Sequence, residues 1–170
     1  SIIYADPPWH YRTWRDGNGT ANRHYPTMKI EEIVAMKDTI QKISEKDCVL
    51  FLWVTFPCLL EGIKTIKEWG FKYKTCGFTW VKRNKVSDTW FFGLGHWTRA
   101  NAEICLIATR GHIKRISNKV SQVVVTHIQE HSKKPDIVRD RIVELIGDLP
   151  RIELFARQTA EGWDCWGNEV

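Results

Sequence analysis

A mixed α/β fold, with a mostly parallel sheet and helices on both of its faces, follows from three features of the sequence. Short, largely apolar runs recur at residues 2–5, 48–54, 102–109 and 151–156, broken by charge only at Glu103, Arg151 and Glu153. Near-continuous apolar character, clearest at 48–54, marks strands buried on both faces. Between these runs, residues 59–69 and the stretch after Pro135 carry apolar side chains at helical spacing. Strand alternating with helix is the pattern of parallel α/β sheets. The chain has 170 residues, 43% of them apolar, which suffices for one core and is short for two domains.

The first strand, Ile2-Ile3-Tyr4-Ala5, breaks at Asp6-Pro7-Pro8-Trp9. Two successive prolines lack N–H groups and restrict the residues before them, so the chain must leave the sheet at Asp6 in a stiff segment. Ligands of open α/β sheets bind at the carboxyl ends of strands. Asp6 is therefore expected at a crevice, beside the free carbonyl of Pro7 and under the face of Trp9. A carboxylate, a carbonyl and an indole face together suit a planar group bearing an amine. An ordinary Asp-Pro turn is the plainer reading, and the four residues at the end of an apolar strand favour the site.

Residues 10–26 form a long polar connection with Trp14 and Tyr25 embedded, of a length usual for lids and binding loops. Thr27 is the expected N-cap of a short helix over 29–36, whose Ile30, Ile33 and Val34 make one apolar face. A second short piece covers 38–44, followed by the strand 48–54. The helix 59–69 has Leu59, Ile63 and Ile66 on one side and is closed by Gly70. Residues 71–82 read as a strand bent near Gly77. Residues 83–101 make a second long excursion, basic at Arg83, Lys85 and Arg99 and aromatic at Trp90, Phe91, Phe92 and Trp97. After the strand 102–109 comes the basic stretch 111–119, with Lys114, Arg115 and Lys119, and then an extended piece over 123–126. A helix beginning at Pro135 carries Val138, Ile142, Leu145 and Ile146 at one face until Gly147 stops it. The strand 151–156 precedes a turn-rich tail with Trp163, Trp166 and Asn168. If the strands before them share a direction, the excursions 10–26 and 83–101 flank Asp6 from opposite sides.

Formal net charge is +5 and the pI about 9.0, compatible with a polyanionic partner but ordinary for a protein of this size. The nine tryptophans can serve as core filler or as stacking platforms for bases. Five scattered cysteines, an odd number, read as free thiols of a reducing compartment rather than a disulfide framework or a zinc site. No apolar run reaches the roughly 20 residues that span a membrane, and no secretion signal opens the chain. An intracellular, cytoplasmic protein is expected, and residues upstream of Ser1 can belong to the full protein. The glycine fingerprints of dinucleotide and nucleoside-triphosphate sites, the G-x-S-x-G elbow and the zinc-deaminase cysteines are all missing. His127-Ile128-Gln129-Glu130-His131 has the H-x-x-E-H spacing of a zinc peptidase. That spacing needs one helical face, whereas β-branched residues precede it and Pro135 follows closely, so it reads as a pair of loop histidines.

Asp6-Pro7-Pro8-Trp9 resembles the catalytic tetrapeptide of the MT-A70 family of S-adenosylmethionine-dependent adenine-N6 methyltransferases, which modify RNA or DNA. The segments 24–28, 95–103, 153–157 and 162–169 are similar to that family as well, so the resemblance runs from Tyr4 to Glu169, most of all to its compact bacterial or phage branch. The resemblance implies a Rossmann-like methyltransferase fold in a single catalytic domain over 1–170, with the tetrapeptide ahead of the cofactor-binding segments in sequence. It implies Asp6, Pro7, Pro8 and Trp9 as catalytic residues and S-adenosylmethionine as cofactor, held by Asp6, Lys134, Phe155, Arg157, Asn168 and Glu169. Thr159 and Ala160 match the family's ribose contacts only loosely. On the substrate side, Trp9 and Tyr25 would stack on or wall in the base. Lys82, Arg83, Trp97 and Arg99 would track phosphate and bases, Glu103 would line the pocket, and Lys114 and Arg115 would contact phosphate.

The chemistry follows from the nature of the amine. Its lone pair is delocalised into the adenine ring, so it is a poor nucleophile. Acceptance of its two N–H groups by the Asp6 carboxylate and the Pro7 carbonyl favours a pyramidal nitrogen, and these bonds strengthen as positive charge develops. Alignment of amine and methyl for in-line displacement supplies the rest. No metal is needed. The expected partners are nucleic acid, DNA in preference to RNA, and a second copy of the chain or a partner subunit, in a bacterial or phage-infected cell and without a membrane. Two alternatives stand beside this: an N4-cytosine methyltransferase, disfavoured by Asp6 and Trp9 in place of Ser and Tyr, and an inactive nucleic-acid-binding partner subunit. An oxidoreductase is a distant third.

Overall fold

The computed structural model describes residues 1–10, 27–95, 97–130 and 133–170. Seven strands form one sheet: β1 (Ile2–Ala5), β2 (Cys48–Val54), β3 (Lys72–Arg83), β4 (Ala102–Arg110), β5 (Val123–His127), β6 (Arg151–Leu154) and β7 (Asp164–Trp166). Their order is β5-β3-β4-β2-β1-β6-β7. β4 runs antiparallel to both of its neighbours, β2 and β3. The other pairs, β1 with β2 and β6, β3 with β5, and β6 with β7, are parallel. The carboxyl ends of six strands therefore share one edge of the sheet with the start of β4.

β1 and β2 are buried along their whole length, as their apolar runs require. Alternate residues go to opposite faces. Ile3, Ala5, Leu50, Leu52 and Val54 pack beneath α1 (Ile30–Ala35), α2 (Lys37–Ile43) and α3 (Leu59–Glu68) through Ile33, Ile40 and Ile66. Ile2, Tyr4, Val49, Phe51 and Trp53 pack on the other face with Val138, Ile142 and Ile146 of α4 (Ile137–Ile146). α3 comes so close to β2 that a Cβ on Gly62 would stand 2.4 Å from a methyl of Val54. α4 ends at Gly147, whose φ of 104° is left-handed and unstrained only for glycine. The bend expected near Gly77 is a pair of register shifts in the β3–β4 ladder, and a Cβ at Gly77 would lie 2.6 Å from Ile107.

Two local expectations are corrected. The N-cap of α1 is Lys29, not Thr27: the Glu32 carboxylate accepts the Lys29 N–H at 2.7 Å, while the Thr27 hydroxyl bonds the His10 ring at 3.0 Å. The cause is a bridge between Trp9 and Met28, which keeps the chain extended past Thr27. The tail is not only turns. Its Asp164–Trp166 segment pairs with β6 as an edge strand too short for its period to show in sequence.

Candidate active site

The turn after β1 is closed by backbone bonds. The Pro7 carbonyl accepts the Trp9 N–H at 2.8 Å, and the Pro8 carbonyl accepts the Met28 N–H at 2.8 Å. The Pro7 oxygen, expected free, thus keeps one of its two lone pairs. Trp9 differs more from expectation. Its side chain is 6% exposed, lies in the core under α1 and α3, and donates its indole N–H to the Trp53 carbonyl at 2.8 Å. A ring of this size gains more from burial with a satisfied N–H than from standing in water, so it anchors the turn instead of offering a stacking face.

On the α4 face, the pleat lines up Asp6 after β1, Glu103 in β4 and Lys82 in β3, which continue the rows of Tyr4, Cys105 and Trp80. Lys134, in the segment leading into α4, reaches across this row. Its Nζ lies 2.9 Å from Asp6 Oδ2 and 3.1 Å from Glu103 Oε2, above the Trp53 ring at 5.6 Å. Lys82 pairs with Glu103 Oε1 at 2.5 Å and sits 4.7 Å over the Trp80 ring. Two cations and two anions thus alternate along a mostly buried line. Burial raises the Asp6 carboxyl above the ordinary carboxylate range, against the pull of Lys134 and with the help of Glu103. Burial alone would also raise Glu103, but Lys134 and Lys82 together overcome it and hold that carboxyl at about 2. Burial opposes the charge on Lys134, yet Asp6 and Glu103 push its pKa upward, so it remains an ammonium.

Beside this row, β6 ends at Phe155 with a φ of 61°, and the Phe155 ring meets Trp166 edge-on at 5.7 Å. Arg157 and Glu169 pair at 2.9 Å. Gly167 packs on the backbone of residue 156, where a Cβ would approach the carbonyl oxygen to 2.2 Å. Asn168 and Glu169 are exposed next to that close approach. The exposed amide of Asn168, with the Glu169 carboxylate and the Arg157 guanidinium, is a donor and acceptor set of the kind that can hold the amino-acid and ribose ends of S-adenosylmethionine.

The expected substrate residues divide into three groups. Lys82 and Glu103 join the Asp6 row. In the 83–101 excursion, Arg83 pairs with Asp88 at 2.8 Å and lies 5.4 Å over Trp90, Trp97 is fully exposed at 100%, and Arg99 turns back to donate to the Gly93 carbonyl at 2.8 Å. Lys114 and Arg115 are exposed but follow the carboxyl end of β4, where Arg110 pairs with Cys48 and the next residues reach the end of α4 through the Ile116 N–H and the Leu145 carbonyl. Because β4 is reversed, they stand at the opposite edge of the sheet from Asp6, so any phosphate they contact lies away from the Asp6 row. Tyr25 lies outside the described residues, as do Trp14 and His131. His127 shares a hydrogen bond between its Nδ1 and the Asn84 carbonyl at 2.7 Å, and no cluster suited to a metal occurs among the described residues.

Sequence reasoning found Asp6, Lys134, Lys82 and Glu103 but missed that Lys134 ties Asp6 to Glu103. No local signal carries that link, since it crosses most of the chain. Two concavities are lined by residues on either side of Lys134 in sequence: one of about 220 Å³ with Trp80, Pro135 and Ile137 in its wall, and one of about 440 Å³ with Lys85, Gln129 and Lys133. No helix among the described residues is long and apolar enough to cross a membrane.

The sequence model of the MT-A70 family matches residues 1–169. The Type II methyltransferase M.MunI of Mycoplasma sp is 34% identical over 188 residues, covering 99% of this chain and 77% of its own. The N(6)-adenosine-methyltransferase catalytic subunit METTL3 of Homo sapiens is 27% identical over 174 residues, covering 100% of this chain and 28% of its own. An N(6)-adenosine-methyltransferase MT-A70-like protein of Arabidopsis thaliana is 27% identical over 172 residues, and this chain spans 23% of it. A strand end closed by Asp6-Pro7-Pro8-Trp9, a Rossmann-like sheet around it and a match over nearly the whole chain agree, and the protein belongs to the MT-A70 family of S-adenosylmethionine-dependent adenine-N6 methyltransferases.

Proposed function

We propose that the protein methylates the exocyclic N6 amine of adenine in nucleic acid, DNA in preference to RNA, by direct in-line transfer. The observation that carries this reading is the Asp6 carboxylate, fixed at a strand end by Lys134 with one oxygen engaged. Its Oδ1 makes no hydrogen bond among the described residues, and the second lone pair of the Pro7 carbonyl lies in the same rigid turn. These two oxygens accept the two N–H groups of the amine and direct its lone pair away from the ring. S-adenosylmethionine, when bound, supplies a methyl group on a positively charged sulfur. Asp6, Lys134, Phe155, Arg157, Asn168 and Glu169 hold it, in segments that follow the tetrapeptide in sequence. Because the Asp6 carboxyl is raised while Glu103 and Lys134 stay charged, Asp6 is the member of the row able to take the proton the methylated amine must lose.

Residues 1–170 act as one catalytic domain, with the 83–101 excursion as a substrate loop and a second copy or partner subunit completing the groove. The preference for DNA and for a bacterial or phage setting is supported by the extent of the match to the compact Mycoplasma enzyme, 77% of its length, against about a quarter of the adenosine methyltransferases. The test is transfer of labelled methyl to single- and double-stranded DNA and RNA, with nucleoside analysis. N6-methyladenine in DNA is expected. Methylated cytosine, or a protein that binds no cofactor in a titration, would overturn the reading.

A further inference from the structure

The two concavities adjoin each other. Both are walled by His127, Gln129 and Lys133, and they differ in character. The smaller is lined mostly by carbon: the edge of Trp80, Pro135, and Ile137, which is 44% exposed at the first turn of α4. The larger is half polar and takes Lys85, Lys133 and Glu130 into its wall, and Lys133 also pairs with Asp136 of the smaller one at 3.2 Å. His127 is fixed between them by its bond to the Asn84 carbonyl at 2.7 Å, and Trp80 by its indole N–H on the Thr126 hydroxyl at 2.8 Å. Gln129, exposed in the shared wall, makes no hydrogen bond among the described residues. Lys133 and Pro135, in the wall of this double hollow, flank Lys134 in sequence, and Lys134 pairs with Asp6 at 2.9 Å.

An apolar seat, an uncommitted amide and two lysines match the parts of one nucleotide. We propose that the double hollow seats the nucleotide next to the target adenine, its base against Trp80, Pro135 and Ile137, its edge read by Gln129, and its phosphate met by Lys85 and Lys133. This rests on Asp6 being the site of adenine methylation. A primary amide can pair with both groups of one base edge and leaves an unpaired partner on another, which yields discrimination that stacking alone does not. The hollow is therefore a determinant of sequence context.

The test uses the full chain, S-adenosylmethionine and single-adenine oligonucleotides carrying each base in turn beside the adenine. Methylation is read as kcat/KM, and cofactor affinity is read separately by calorimetry. The wild type is expected to distinguish the neighbours. Gln129→Ala should flatten that profile, Ile137→Trp should raise the oligonucleotide KM by roughly tenfold by filling the seat, and Lys85→Glu, at an exposed side chain, should raise KM for all neighbours alike. Cofactor affinity should hold in all three. An unchanged neighbour profile in Gln129→Ala together with an unchanged KM in Ile137→Trp overturns the inference while leaving adenine methylation standing. Failure of the wild type to methylate any adenine overturns both.

Discussion

Asp6 carries two demands that pull against each other. In the proposed reaction it must be ionised to hold the amine, while most of it is withdrawn from water. Burial favours its neutral form, so the carboxyl titrates above the ordinary aspartate value of about 3.9. As pH falls, Asp6 gains its proton before Glu103 does, and the methyl-transfer rate should fall with it at a pH where a solvated aspartate is still charged. Lys134 opposes this shift, so Lys134→Met should move the acid limb of the kcat profile to still higher pH; a limb that stays in place would show that Lys134 does not set the charge of Asp6. Asp6→Asn keeps the shape and loses the charge, and should cut single-turnover methylation by about 10²–10³-fold. Glu103 has the opposite sign. Its folded value of about 2 lies below that of an unfolded glutamate, so it contributes stability above pH ~4.3 that is lost as pH falls toward 2. Glu103→Gln should therefore destabilise the fold by roughly 2–3 kcal/mol at pH 7, with the gap to the wild type closing in denaturant titrations at pH 3.

α4 is the element that brings Lys134 over the sheet, and its seat is an ion pair. Arg139 grips Glu153 of β6 with Nε at 2.6 Å and Nη2 at 3.0 Å, and it holds Asp136 at the start of the helix at 2.7 Å. Both partners of the Glu153 pair are about one-tenth exposed, so removing one strands a buried charge. Arg139→Met should cost about 3–5 kcal/mol in chemical unfolding, and Arg139→Met with Glu153→Leu should recover much of it. The apolar face of α4 was legible in the sequence at Val138, Ile142 and Ile146, and β2 was legible to the residue because every side chain in it is apolar. The clamp was not, because a charged residue in a short strand gives no hint of which helix it meets. The position of Thr27 likewise misled, since a good capping side chain cannot act where a distant strand-like bridge keeps its backbone extended.

At the scale of the whole molecule, the reversed β4 decides which end of the sheet each loop belongs to. An apolar run reads alike in either direction, so the sequence could place β4 in the core but could not say that Lys114 and Arg115 leave by the far edge. Paired replacement of Lys114 and Arg115 by alanine should leave the oligonucleotide KM within about twofold, whereas replacement of basic residues at the Asp6 edge should weaken binding and lower its salt dependence. A large KM change in the Lys114/Arg115 variant would mean that nucleic acid wraps to the opposite edge. The Asp6 end itself was legible from four adjacent residues; its charge balance was not, because Lys82, Glu103 and Lys134 meet only once the sheet has formed.

That same reversal gives β3 and β4 the relation of a hairpin, so the chain between Arg83 and Ala102 leaves and re-enters the sheet at neighbouring points. Crossover connections elsewhere must span a fixed distance with a helix of fixed length, but a hairpin tip has no span to keep. Closing a longer loop there would add only about 0.6 kcal/mol per doubling. The fold can therefore exchange one tip for another, shorter or longer, without disturbing the charge row at Asp6, and reach toward different targets is the property such exchanges would alter.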